Sequence, residues 1–254
     1  LGYNISKIKK NPYPIDYNDE FIKEYQKIKP YTMTSIERVF ALKSAVKYTV
    51  DNNIEGSYVE CGVWKGGSCM MIAATLIQLE QSDKEIWLYD TFDGMTNPTN
   101  DDVEVETNLR GMELLENVDK TTDRLNMWAY APKDLVIKNM NSTGFPKDKI
   151  KYIEGKVEET LSYDKPASIA LLRLDTDWYE STKKELEHLY PLLVSGGVLI
   201  IDDYGHFKGS KKAVDDYFRN IKEKPLLHRI DYSGRMVIKK WSEFITIKNV
   251  LSVT

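Results

Sequence analysis

Ser57-Tyr-Val-Glu-Cys61, then Gly62-Val-Trp-Lys-Gly-Gly67, then Ser68 opening an apolar run to about Leu79, is the stretch on which the fold turns. Five residues of strand character enter a glycine-rich turn, and the run beyond has the length of a helix. Glycine lets a backbone approach a bound molecule closely, and the N-terminus of the following helix offers free N–H groups. A dinucleotide site would space its glycines as Gly-x-Gly-x-x-Gly, which this turn does not. Glu60 narrows the choice further. A carboxylate beside the turn repels a pyrophosphate and attracts a ligand that carries an ammonium and a sulfonium. S-adenosylmethionine is such a ligand, with its own carboxylate left for the helix N-terminus.

Outward from this turn, strands and helices alternate. Residues 86–89 form a short buried strand ending in Asp90, the expected acceptor for ribose hydroxyls. Helices are expected over 21–28, from Ile36 through Val46 with Thr34 or Ser35 as cap, over 132–140, 181–193 and 211–221. Further strands are expected over 151–154, 168–174 and 198–201, and the stretches 226–230 and 235–239 read as an antiparallel pair. Such alternation means an α/β, Rossmann-like sheet, mostly parallel, with helices on both faces. These sheets bind ligands outside the carboxyl ends of their strands.

Polar chemistry does gather there. Leu172-Arg-Leu-Asp175-Thr-Asp177 ends one buried strand, and Ile200-Ile-Asp202-Asp203 ends the next. Asp175 and Asp177 share a face if strand geometry persists. Four carboxylates at one edge repel unless something positive sits among them, and an oxygen-only set points to a hard cation such as Mg²⁺. The competing reading is that one Asp caps the next helix and the rest are solvated. Trp178 and Tyr179 are expected to wall an acceptor pocket or to lie in the core. Cys61 reads as a small buried residue, and the three histidines lack metal-ligand spacing.

The chain has 254 residues, with 35 Lys and Arg against 39 Asp and Glu, a net charge of −4 that argues against non-specific nucleic-acid binding. No window is apolar enough to span a membrane. The two cysteines, Cys61 and Cys69, cannot make a disulfide framework and fit a reducing cytoplasm. The start Leu1-Gly-Tyr-Asn4 carries neither a signal peptide nor an initiator Met, as a trimmed or excised piece would. Residues 1–30 read as an N-terminal arm, with the catalytic domain over 31–254. The acidic stretch 97–128 reads as a solvated insertion or a lid.

Six segments in order carry a family resemblance: Met33-Thr-Ser-Ile-Glu-Arg38, Glu60 to Ser68, Tyr89-Asp-Thr-Phe-Asp-Gly-Met95, Gly155-Lys-Val-Glu-Glu-Thr160, Leu174 to Thr182 and Ile201-Asp-Asp-Tyr-Gly205. Over approximately residues 30–240 the chain resembles the macrocin O-methyltransferases, and the resemblance implies a class I methyltransferase fold. It also implies S-adenosylmethionine- and Mg²⁺-dependent methylation of a hydroxyl, usually on a natural-product sugar. Carried over by motif, the cofactor set is Thr34, Ser35, Glu60, Cys61, Gly62, Val63, Trp64, Ser68, Asp90, Thr91, Phe92, Gly155, Lys156, Val157 and Asp175. The metal set is Asp175, Asp202 and Asp203. Asp177 is the implied general base, and His206, just beyond the second Asp pair, is the reserve base. Trp178 stands where the family often has a small residue. The partner implied is a small hydroxylated acceptor, with no nucleic acid or membrane, and a homo-oligomer by analogy. The rival expectations are a catechol or phenol O-methyltransferase and a silent cofactor-binding module of a larger synthase.

Overall fold

β1 (Ser57–Cys61) is buried along its whole length, because each face of the sheet is covered. Tyr58 enters one apolar core and Val59 and Cys61 enter the other. The same division runs through β2 (Ile86–Asp90), where Ile86 and Leu88 oppose Trp87 and Tyr89. It recurs in β4 (Ile169–Leu174) and β5 (Leu193–Ile201). This is why these strands read as near-continuous apolar runs rather than alternating ones.

The structure is a computed structural model that describes residues 13–116, 118–121, 126–222 and 224–240. Residues 1–12 of the expected arm, 117 and 122–125 of the insertion, and 241–254 at the end of the expected domain lie outside it. Among the described residues, seven strands form one sheet in the order β3-β2-β1-β4-β5-β7-β6, with β3 at Ile150–Glu154, β6 at His228–Arg229 and β7 at Arg235–Ile238. Strands β1 to β5 are parallel, and β7 runs antiparallel to both β5 and β6. The C-terminal pair is therefore present, though shorter than expected.

Helices α1 (Asp19–Ile28), α2 (Ile36–Asp51), α3 (Gly67–Gln78) and α5 (Lys133–Asn141) cover one face. The other carries α6 (Val157–Thr160), α7 (Tyr179–Leu189) and α8 (Lys208–Asn220). No described helix is long and apolar enough to cross a membrane. Within its described residues the insertion holds one short helix, α4 (Gly111–Leu115), and two antiparallel bridges, Val103 to Arg110 and Glu104 to Phe207. It has a small core of its own in Leu115, Trp178 and Phe207.

Several boundaries differ from expectation: α2 runs on to Asp51, α8 begins at Lys208, and two more stand out. α7 stops at Leu189 and passes into a 3₁₀ turn at Tyr190–Leu192, because Pro191 cannot continue the ladder. β5 starts five residues earlier than the apolar run suggests, carrying Ser195, Gly196 and Gly197 within the strand.

Candidate active site

β1 and β4 are neighbours although two strands separate them in sequence, and the chain reverses its direction of winding between them. Ligands bind at such a switch point. Four backbone bonds tie the strand ends one residue past the sheet. Gly155 N–H donates to Asp90 O (3.0 Å), Gly62 N–H to Tyr89 O (2.8 Å), Asp175 N–H to Cys61 O (2.9 Å) and Asp202 N–H to Leu174 O (2.9 Å). The residues that begin each loop therefore stand in one row along the edge of a cleft of about 270 Å³.

On one side of that cleft, Glu60, Gly62, Val63, Trp64 and Ser68 come from the first turn, Asp90 and Thr91 from β2, and Gly155, Lys156 and Val157 from β3. Gly62 has φ 78°, and a Cβ there would fall on the Asp175 carbonyl. The turn is thus pressed against β4, which only glycine permits. Asp90 is the tie between turns. Its Oδ2 accepts from Val63 N–H (2.7 Å) and Trp64 N–H (3.1 Å), and its Oδ1 from Phe92 N–H (2.7 Å). The carboxylate expected for a ribose is already engaged in fixing both loops, with only the long Thr91 hydroxyl contact (3.4 Å) readily exchanged.

Across the switch point lie Thr34, Asp175, Asp177, Asp202, Asp203 and His206. Asp175 and Asp177 reach the cleft without strand geometry, since β4 ends at Leu174 and Asp177 takes φ 65°. Oxygens of Asp175, Asp202 and Asp203 lie within 4.8 Å of one another. What sits among them is arginine. Arg173, 1 % exposed, reaches Glu60, Asp202, Asp175 (2.6 Å) and the Thr34 hydroxyl (2.8 Å). Arg38, from α2, pairs with Asp202 and with Asp231 (3.0 Å).

Glu60 is therefore neutralised from within. Register places it beside Arg173 on the same face, and it also accepts from the Cys69 thiol (2.7 Å). Two guanidinium groups do not balance this many carboxylates, and the surplus shows in their acidity. Burial raises Asp202, but Arg173 and Arg38 outweigh it and hold the group below the usual range. Burial, with the neighbouring carboxylates, pushes Asp175, Asp177 and Asp203 well up. His206 is lowered by burial against the pull of Glu104, whose carboxylate is 3.5 Å away, so the ring is neutral at pH 7.

Three residues of the expected cofactor set stand away from the cleft. Ser35 caps α2, accepting from Arg38 N–H (3.2 Å), and donates to Asp231 (2.7 Å). Cys61 points into the core on the α7 face, opposite Glu60, because adjacent strand residues face opposite ways. Phe92 is buried in the core on the α3 face. Trp178 does not wall the cleft either. It is 3 % exposed, packs on Phe207 (4.9 Å between rings) and donates to Thr96 O (2.9 Å) beneath the insertion. Conversely, Arg38, Arg173, Tyr232 and Ser233 belong to the site and were not expected. A lone arginine in the apolar run 169–174 is the signal for one of them, since a buried charge requires partners.

Sheet order, switch-point cleft and antiparallel β7 together define a class I methyltransferase. The chain belongs to the macrocin O-methyltransferase family, whose description, Macrocin-O-methyltransferase (TylF), matches residues 23–239, and it is thus an S-adenosylmethionine-dependent O-methyltransferase. Among its relatives, demethyldecarbamoylnovobiocin O-methyltransferase of Streptomyces niveus is 30% identical over 187 residues, 74% of this chain and 67% of the relative. The 8-demethyl-8-(2,3-dimethoxy-alpha-L-rhamnosyl)-tetracenomycin-C 4'-O-methyltransferase of Streptomyces olivaceus is 33% identical over the same shares. The solved O-methyltransferase NovP superposes with a TM-score of 0.71 at 28% identity, covering 83% of this chain and 82% of that one.

Proposed function

We propose that the protein transfers the methyl group of S-adenosylmethionine to a sugar hydroxyl of a glycosylated small molecule, with Mg²⁺ held by Asp175, Asp202 and Asp203. One observation carries the reading. The three-carboxylate set, with Asp177 beside it, opens into the same cleft as the glycine-rich turn. The donor chemistry fits a hard divalent cation, since all three ligand atoms are carboxylate oxygens and their surplus charge exceeds what Arg38 and Arg173 neutralise. What Mg²⁺ supplies when bound is positive charge, which acidifies a hydroxyl and keeps the neighbouring carboxylates ionised.

The chain's own residues do the rest. Ser68 and the N–H groups at the start of α3 are suited to the methionine carboxylate, and Asp90, Thr91 and Gly155 to Val157 to the nucleoside. Asp177 receives the proton of the attacking hydroxyl, and His206, neutral and facing the same cleft, is the reserve acceptor. Relatives named for glycosylated antibiotics support the sugar acceptor. Free, buried Cys61 and Cys69 suit a reducing compartment.

The test is a mass-spectrometric screen of glycosylated and phenolic acceptors with methyl-labelled cofactor, with and without Mg²⁺. Label should enter a sugar hydroxyl, and Asp175→Asn should remove Mg²⁺-stimulated transfer while leaving S-adenosylhomocysteine binding within a few-fold. Undiminished transfer by that variant in EDTA overturns the metal assignment. Label on a phenol alone overturns the acceptor.

A further inference from the structure

α7 begins without a cap of its own. The residue at its N-cap, Trp178, offers no side-chain bond to the helix. An unpaired N–H at a buried helix start is costly, and an acidic group there is favoured by the helix dipole. The acceptor comes from 77 residues upstream, where Asp102 Oδ1 accepts from Tyr179 N–H at 2.7 Å. Asp102 is one of the acidic residues of the insertion that would be expected in solvent, yet it is 0 % exposed.

Its other atoms hold the insertion. Oδ2 accepts from Thr99 N–H (2.6 Å) and from the Thr99 hydroxyl (2.8 Å), and the Asp102 carbonyl accepts from Gly111 N–H (2.7 Å). A third element closes on it, because a Cβ at Gly209 of α8 would fall on Asp102 Oδ1. The turn Asp175-Thr176-Asp177 lies immediately before the capped N–H, and its Asp177 is in the left-handed region. Such a conformation persists only where the surroundings hold it.

We propose that Asp102 is a positioning residue, locking residues 99–111 onto the start of α7 and so holding the Asp175–Asp177 turn in its cleft-facing form. The consequence for catalysis rests on the proposed roles of Asp175 and Asp177; the mechanical coupling does not. On this view the insertion is a fixed wall whose anchoring and the geometry of the acidic turn are one event.

Hydrogen exchange read by mass spectrometry on the full chain tests it. Asp102→Ala should speed exchange at least tenfold in residues 96–111 and equally in residues 175–182, with β1 and the S-adenosylhomocysteine affinity unchanged within twofold. Gly209→Ala, which displaces the carboxylate from a different element, should do the same. Thr99→Val, which removes one bond to Oδ2 and leaves Tyr179 N–H capped, should loosen 96–111 alone. Wild-type exchange over 175–182 in Asp102→Ala or Gly209→Ala, with residues 96–111 loosened, overturns the proposal. So does loosening of β1 and loss of S-adenosylhomocysteine binding in step with 175–182, the mark of a general structural role. Mn²⁺ binding followed by electron paramagnetic resonance gives a second signature, expected to weaken at least fivefold in Asp102→Ala. If the wild-type chain takes up no Mn²⁺, the metal assignment fails, and exchange alone decides the coupling.

Discussion

Glu185 illustrates how much a single residue can set. Fully buried on α7, it accepts from the Thr176 hydroxyl at 2.8 Å, and burial lifts its carboxyl from 4.5 to about 8. The folded protein thus retains a proton that the unfolded chain releases. Its contribution to stability is complete below about pH 4.5 and is lost as pH climbs to about 8, up to about 5 kcal/mol in all. In urea unfolding from pH 5 to 8.5, Glu185→Gln should flatten most of that decline, and an unchanged slope would refute the assignment. At this scale the acidic residues were legible, because strand-end carboxylates stand out in sequence. Arg173 was not, although it lay in plain view between Leu172 and Leu174. A charge inside an apolar strand demands partners, but which partners depends on register, and register joins residues more than a hundred positions apart. Arg38 was hidden differently. On an amphipathic helix it reads as a solvated residue, and only the packing of α2 over β4 and β5 turns it inward.

Among elements, the turn between β1 and α3 is under the tightest steric control. Alanine at Gly62 would press on the Asp175 carbonyl and would also occupy a backbone region that L-residues avoid. Gly62→Ala should therefore weaken S-adenosylhomocysteine binding at least tenfold by calorimetry, with helix content by circular dichroism retained. Wild-type affinity would mean that the turn can relax away from β4. The parallel strands and their helices were readable because burial on both faces leaves few polar residues to confuse the pattern. The start of β5 was not, since Ser195, Gly196 and Gly197 look like a loop and are drawn into the strand by pairing, with Gly196 N–H on Lys239 O (2.9 Å) and Lys239 N–H on Gly197 O (2.8 Å). The insertion was opaque for a related reason. Its order comes from contacts with Trp178, Tyr179 and Phe207, none of which local periodicity can register.

For the molecule as a whole, ligand binding and stability share one set of contacts. The cleft draws on five strand ends together with the segment 31–34, so a ligand bound there engages the folded chain and not the unfolded one. S-adenosylhomocysteine at a hundred times its dissociation constant should add about 2.7 kcal/mol, raising the thermal midpoint by roughly 5–10 °C. No shift at that saturation would place the nucleoside elsewhere.

Asp202 gathers segments from before β1 and from beyond α8. Thr34 and Arg38 approach it from the N-terminal side, while Ser233 donates to its carbonyl and Asp231 shares Arg38 with it. Its neighbours thus lie as far apart in sequence as Thr34 and Ser233. A nascent chain that has emerged only as far as Asp202 holds Arg38 without Asp231 and the Asp202 carbonyl without Ser233. The site therefore closes only after β6, and a chain cut short before Asp231 would carry the parallel strands but not a finished centre. Catalytic competence in this architecture is a property that arrives only once the segment carrying Asp231 and Ser233 has been made.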